Sequence, residues 1–365
     1  MSNVKYDFII GGRSDLIRAA SLKQAASSVT EPLDLSFVHT GEDLDPEFTP
    51  LLMEQLNFQP DEILPGEGFA GSALFAEVLL SYEQQLQLSR PKGVVIMGNS
   101  QSSTACALAA ARQGVEIIHL DAGNRHYDKK QVSEQNDLII DQLATFMITS
   151  NGESVINLMR EGVDSQQMID LGSLSSDTVL ANLGYAEDSH VLDAQGLVPS
   201  NYVLIALSSA YDDSLASNLA SLVLLLERMS ENINIHLVLG EESRRSLEEI
   251  PEIQLESTDN FNIVSGHGYH EMLKLMKNAT LILTDSQSIQ EETTILGVPC
   301  LTLGYTTNRP VTLAKGTNLL VGYDAAEIED AITTILSGEI KEAIPIDTWD
   351  GKVAFRILEY LSKRN

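Results

Sequence analysis

Short apolar runs, each leading into a helical segment, recur along the whole chain in two successive series. In the first series, residues 8–12, 33–38, 94–98 and 115–120 are strand-like, and helical patterns follow over 16–27, 102–113 and 133–143. Continuous apolar strands separated by helices call for a parallel sheet with both faces covered. The series restarts after Gly196-Leu197-Val198-Pro199, with strands at 202–207, 235–239, 279–284 and 299–303 and helices at 215–229 and 269–277. A chain of 365 residues, 43% of them hydrophobic, is long for one core and natural for two. The rhythm therefore predicts two doubly wound α/β domains, at 1–185 and 186–350. Ligands of such sheets bind beyond the carboxyl ends of the strands, so Gly98, Asp121 and Asp285 are expected to face one cleft. Residues 351–365 carry helical apolar spacing and form a terminal helix that could pack across the domain junction.

Charge narrows the partners. Fifty-two acidic residues against 23 basic ones give a net charge of −29, a field that repels nucleic acid and anionic membranes. A small anionic ligand is still compatible with it, because a pocket can be positive inside an acidic envelope. The acidity fits either an ordinary soluble surface or a high-salt environment. Cys106 and Cys300 are the only cysteines, so no disulfide framework is expected. No stretch has the length of a membrane span, the start lacks the pattern of a signal peptide, and the cytoplasm is the expected location. The histidines, among them His119, His126, His267 and His270, lack the spacing of a metal site, and neither a metal nor a cofactor is expected.

The residues that could carry a ligand sit where strands end. Asp285-Ser286-Gln287-Ser288-Ile289-Gln290-Glu291-Glu292 follows an apolar strand and opens a helix, a junction that offers backbone N–H groups and a positive dipole end to an anion. Ser286, Gln287 and Ser288 are candidate phosphate contacts, although Asp285-Ser286 also serves as a plain turn and cap. Glu292 suits ribose hydroxyls. Thr306-Thr307-Asn308-Arg309-Pro310 follows the next strand, with Thr306 offering a hydroxyl and Arg309 a counter-charge for pyrophosphate. In the first half, Arg13 follows Gly11-Gly12 at a strand-to-helix turn, and Arg18 is a second positive group or a surface residue. Asp121 and Glu134 are candidate acid–base groups, and Arg125 a candidate phosphate or carboxylate partner. Caps and salt bridges are the structural alternative for all three.

Together these stretches resemble the non-hydrolysing UDP-N-acetylglucosamine 2-epimerase family, over nearly the whole chain. Gly12-Arg13-Ser14-Asp15 is similar to the family's Thr-Arg-Pro-Glu, and His119-Leu120-Asp121-Ala122-Gly123-Asn124-Arg125 to His-Val-Glu-Ala-Gly-Leu-Arg. Glu134 matches the last acid of Pro-Glu-Glu. Residues 285–292 resemble Asp-Ser-Gly-Gly-Ile-Gln-Glu-Glu, and residues 306–310 Thr-Thr-Glu-Arg-Pro. The resemblance implies two Rossmann-like domains in a GT-B arrangement. It also implies inversion at C2 of a UDP-N-acetylhexosamine by elimination and re-addition of UDP. Arg13, Ser286 and Arg309 would then meet phosphates, Glu292 the ribose, and Asp121, Glu134 and Asn99 the reacting sugar.

Four positions depart from the family pattern. Gly-Asp-Thr is Gly98-Asn99-Ser100, which removes a carboxylate. The family Glu is the shorter Asp121. A Gly-His-Arg is Leu207-Ser208-Ser209, and a Gly-Gly pair is Gln287-Ser288. Retained nucleotide contacts beside a depleted chemical set leave three functions open. These are an epimerase, a catalytically silent nucleotide-sugar sensor or regulatory partner, and a UDP-sugar hydrolase or glycosyltransferase. The partners implied are UDP or a UDP-N-acetylhexosamine, with a second copy of the chain or an active homologue as further candidates.

Overall fold

The computed structural model describes residues 4–46, 48–207, 213–240, 244, 247–248, 250 and 256–364. It divides into two compact units, 1–181 with 347–365, and 182–346. The division thus falls four residues before the expected 185/186, and the terminal segment clusters with the first unit.

Seven described strands form the first sheet: β1 (Lys5–Ile10), β2 (Asp34–His39), β3 (Glu62–Ile63), β4 (Gly93–Ile96), β5 (Glu116–Leu120), β6 (Phe146–Thr149) and β7 (Met168–Asp170). All are parallel, in the order β3-β2-β1-β4-β5-β6-β7. The chain winds outward from β1 to β3, then returns to the other side of β1 with β4, where Ile9 pairs with Ile96. The crevice of such a sheet opens beyond the carboxyl ends of the two strands at this reversal, here between Gly11 and Gly98.

The second sheet repeats the plan with six described strands: β8 (Val203–Leu207), β9 (Ile235–Leu239), β10 (Phe261–Val264), β11 (Leu281–Thr284), β12 (Cys300–Leu303) and β13 (Asn318–Gly322). Their order is β10-β9-β8-β11-β12-β13, again parallel. The reversal lies between β8 and β11, where Ala206 pairs with Thr284. The chain therefore forms two Rossmann-like domains, as the strand rhythm predicts, and the GT-B class is what the family resemblance implies for them. Ser208-Ser209, which replace a family His-Arg pair, lie outside the described residues.

Burial explains the strand sequences. Ile9, Val38, Val94, Ile96 and Ile117 lie in one core under helices Gly71–Ser89 and Gln101–Arg112. Val203, Ile205, Leu237, Leu281, Leu283 and Leu301 form the centre of the other. Each such side chain contributes about 2 kcal/mol through removal from water. The alanines of Gln101–Arg112 have a packing purpose: Ala105, Ala107, Ala109 and Ala110 are fully buried, so this helix lies close against its neighbours.

The last helix, Val353–Lys363, packs within the first unit. Asp177 accepts hydrogen bonds from the N–H groups of Val353 and Ala354, both at 2.9 Å, and so caps its start. Trp349 Nε1 donates to the Ser150 carbonyl, and Tyr360 stacks on Phe146 with ring centroids 4.9 Å apart.

Candidate functional site

In the first unit, two glycines set how closely the strand ends approach. A Cβ on Gly11 would sit 2.1 Å from Ser100 Oγ, and one on Gly98 would sit 2.5 Å from a carboxylate oxygen of Asp15. Both positions need a bare backbone. The helix Arg13–Ala25 begins directly after Gly12, three residues earlier than its apolar pattern suggests, so half-buried Arg13 stands on its first turn.

Asp15 ties this corner together. It accepts from the Gly11 N–H at 3.0 Å and from Arg18 Nη2 at 2.6 Å. Arg18 also donates to the Met97 carbonyl at 2.8 Å and is ion-paired to Asp121. The Arg18 guanidinium, read from the sequence as a second positive group or a surface residue, is thus buried and holds Asp121 at the end of β5. Asp121 adopts φ +60°, a left-handed conformation in which a short side chain is tolerated best.

Glu134 lies in the first turn of helix Val132–Leu143, where its carboxylate accepts from the His126 N–H at 2.6 Å. It therefore holds the loop that follows Asp121. One helical turn further, Asp137 accepts from Asn99 Nδ2 at 2.8 Å, while Asn136 Nδ2 donates to the Asn99 carbonyl at 2.9 Å. Glu134, Asn136 and Asp137 are all buried. Asp121, Glu134 and Asn99 are thus each anchored around the carboxyl ends of β4 and β5.

Arg125 is used within the protein. Nε and Nη2 form a fork on Glu161 at 2.8 and 2.6 Å, Nη2 also reaches Asp141 at 2.6 Å, and Nη1 donates to the Asn124 carbonyl. Burial opposes its charge, but Glu161 and Asp141 outweigh burial and hold it protonated. Asp141 bonds His119 Nδ1 at 2.6 Å as well. Burial alone would raise the Asp141 carboxyl, and His119 with Arg125 bring it below its ordinary value. Spacing within the sequence gave no sign of this buried network, because Asp141 and Glu161 lie 16 and 36 residues from Arg125.

The second unit presents different chemistry. β11 ends at Thr284, whose hydroxyl accepts from the Ser286 N–H at 3.0 Å, and helix Gln287–Leu296 starts at once. Ser286 occupies the cap position with extended backbone but makes no capping hydrogen bond to the first turn. Its hydroxyl meets that of Ser288 at 3.0 Å instead. Gln287 and Ser288 are half-buried on this first turn. Glu292 is buried, and its carboxylate accepts from the Tyr269 hydroxyl at 3.3 Å.

Beyond β12, Thr306 is exposed and Thr307 turns inward to donate to Gln290 Oε1 at 2.6 Å. Arg309 is buried against Glu291, with Nε 2.9 Å from its carboxylate. Gln290 also takes hydrogen bonds at its carbonyl from Asn318 and Thr294. It is the hub that binds the two expected ligand stretches to each other. The sequence marked both stretches, but not the glutamine that joins them.

Residues 26–362 match the family model described as UDP-N-acetylglucosamine 2-epimerase. The chain is 28% identical to the UDP-N-acetylglucosamine 2-epimerase of Methanocaldococcus jannaschii, over 98% of this chain and 99% of the relative. It is also 28% identical to the UDP-2,3-diacetamido-2,3-dideoxy-D-glucuronate 2-epimerase of Pseudomonas aeruginosa, over 97% of this chain and 98% of that one. The crystal structure of the Methanocaldococcus jannaschii enzyme in complex with UDP-GlcNAc and UDP superimposes with a TM-score of 0.88 at 27% identity. That match covers 99% of this chain and 100% of the other.

Proposed function

The chain belongs to the UDP-N-acetylglucosamine 2-epimerase family, and on that premise we propose that it inverts C2 of a UDP-N-acetylhexosamine. The observation that carries this reading is the full-length match, in sequence and in fold, to a relative whose structure holds UDP-GlcNAc and UDP.

The chemistry sets a clear demand. The C2 proton is not adjacent to a carbonyl, so it becomes removable only as the bond from C1 to the UDP oxygen breaks. The electron pair of that bond leaves with UDP, the C2 proton passes to a base, and the C2–H pair closes a double bond between C1 and C2. Return of a proton to the opposite face of C2, with re-formation of the C1–O bond, gives the other epimer. Departure of a diphosphate needs positive groups and oriented N–H donors; proton transfer needs carboxylates. The second unit offers the start of helix Gln287–Leu296 together with Arg309 and Glu292 for the nucleotide. The first offers Asp121 just after β5 and Glu134 in the first turn of helix Val132–Leu143 for the sugar.

Incubation with UDP-N-acetylglucosamine in deuterated water tests this directly. Deuterium at C2 together with the second epimer, seen by proton NMR, is the expected result. The loss of a carboxylate at Asn99 favours a second reading, a sensor that binds the nucleotide sugar without turnover. Micromolar calorimetric binding with no deuterium incorporation over a panel of UDP-sugars would select that reading instead.

A further inference from the structure

Tyr305 stands two residues beyond β12 and is 71% exposed. A single aromatic at the surface needs no explanation of its own; the way this one is held does. Gly304 and Gly322 exchange backbone hydrogen bonds in both directions, at 3.4 and 3.1 Å, and so tie the end of β12 to the end of β13. The Tyr305 ring rests against Gly322, where an added Cβ would come 3.0 Å from Tyr305 Cε1. Gly322 also has φ +60°, so the backbone and the ring both call for glycine there. Tyr323 supports the ring from another side, with centroids 5.3 Å apart and planes at 83°. An edge-to-face contact takes at most one face of a ring, which leaves the other face of Tyr305 open to solvent. The other exposed tyrosines among the described residues are occupied differently: Tyr127 donates to Asn157 Oδ1, and Tyr185 stacks on His270 with planes 15° apart.

The ring also opens the loop that carries candidate nucleotide contacts. Two residues on, Thr307 donates to Gln290 of helix Gln287–Leu296, and four residues on, Arg309 pairs with Glu291 of the same helix. β12 and β11 are neighbours, with Thr302 opposite Thr284. Tyr305 and the start of that helix therefore leave the same edge of the sheet on adjacent strands. In a nucleotide sugar the diphosphate carries a ring on either side, the base through its ribose and the hexose directly. An aromatic side chain suits both. A base stacks on it, and the negative face of the ring attracts the polarised C–H groups of a hexose.

We propose that Tyr305 is a ring-stacking platform for the ligand of the second unit, taking the base or the hexosamine ring of a UDP-sugar on its open face. Its glycine and tyrosine seat fixes the ring before the ligand arrives, which reduces the ordering needed on binding. This inference rests on the nucleotide-sugar reading given above.

Calorimetry of wild type, Tyr305→Ala and Tyr305→Phe with UDP and with UDP-N-acetylglucosamine tests it. Tyr305→Ala is expected to lower affinity about tenfold or more, with a melting temperature close to wild type because the side chain is exposed. Tyr305→Phe keeps the ring and is expected to stay within about threefold of wild type. A loss in the alanine variant that UDP shares supports the platform and assigns it to the base. A loss confined to UDP-N-acetylglucosamine supports it and assigns it to the hexosamine. Affinities equal to wild type for both ligands overturn the platform and leave the nucleotide-sugar reading standing. A phenylalanine variant as weak as the alanine one overturns it too, since the hydroxyl and not the ring would then be the contact. A wild type that binds neither ligand overturns both.

Discussion

The two units reverse their strand order in the same way, yet the helices that start at the two reversals are finished differently. In the first unit, helix Gln101–Arg112 is served by the protein itself: Ser100 Oγ accepts from the Ser103 N–H at 3.0 Å, and Glu42 Oε2 accepts from the Ser102 N–H at 3.0 Å. A resident carboxylate thus sits at the positive end of that helix. In the second unit, helix Gln287–Leu296 starts without a capping bond from Ser286, and Arg309 stands on the neighbouring loop. One architecture therefore supplies two environments. The first gathers acids and neutralises them internally; the second sets a helix start beside a buried Arg309–Glu291 ion pair.

The strongest way to break that contrast is through the internal neutralisation. Asp141 is buried and bonds both His119 and Arg125, so Asp141→Asn leaves a buried guanidinium with Glu161 as its one remaining carboxylate among those described. Loss of one partner from a buried pair costs about 3–5 kcal/mol. Thermal unfolding should show a large fall in melting temperature, while the folded variant should bind UDP as wild type does. The pH dependence has a definite sign. Asp141 is held below its ordinary value, so its stabilisation is complete above the unfolded carboxylate value of about 4 and is lost as pH falls through the folded one. Wild type and variant should therefore begin to converge in stability as pH falls below about 4 and meet only below the folded value. A difference that persists into strong acid would show that packing, not charge, governs this site.

The second unit should respond in the opposite manner. Arg309→Ala removes the buried cation and its ion pair with Glu291. Charge-assisted hydrogen bonds contribute about 1.5–3 kcal/mol each, so UDP affinity measured by calorimetry should fall about 10- to 100-fold. Arg309→Lys should restore little, since a point charge cannot reproduce a planar fork. Unchanged affinity in the alanine variant would move the diphosphate away from this loop.

These differences were only partly legible in the sequence. β1, β4, β8 and β11 announce themselves as apolar runs, because central parallel strands are buried on both faces. β7 is three residues long and only partly buried, and β3 has just two residues, so neither carries such a signal. Ser286, Glu292 and Arg309 stand out because the two candidate ligand stretches are each contiguous in sequence. The acid corner is assembled from residues far apart, and residue type alone leaves their partners open there. Arg125 reads as a phosphate or a carboxylate partner and Arg18 as a positive group or a surface residue, and only the fold shows which carboxylates they meet. Asn99 reads as a lost carboxylate, and only the fold shows that its amide meets Asp137. Charge pairing across tertiary contacts has no sequence period, and that is why it escaped.

The finest contrast lies at the two helix starts. If the Glu42 carboxylate is what makes the first helix start self-sufficient, then Glu42→Gln should preserve the hydrogen bond to Ser102 while removing the charge. A charge at a helix start contributes about 0.3–1 kcal/mol, so stability should fall by no more than that, and the loss should shrink as salt is added. The same variant vacates an anionic seat on the first unit. Inorganic sulfate, which the resident acid repels in wild type, should then protect the variant against thermal unfolding more than it protects wild type. Equal protection would mean that hydrogen bonding alone satisfies this helix start. The difference between the two units would then rest on Arg309 and its loop rather than on the resident anion.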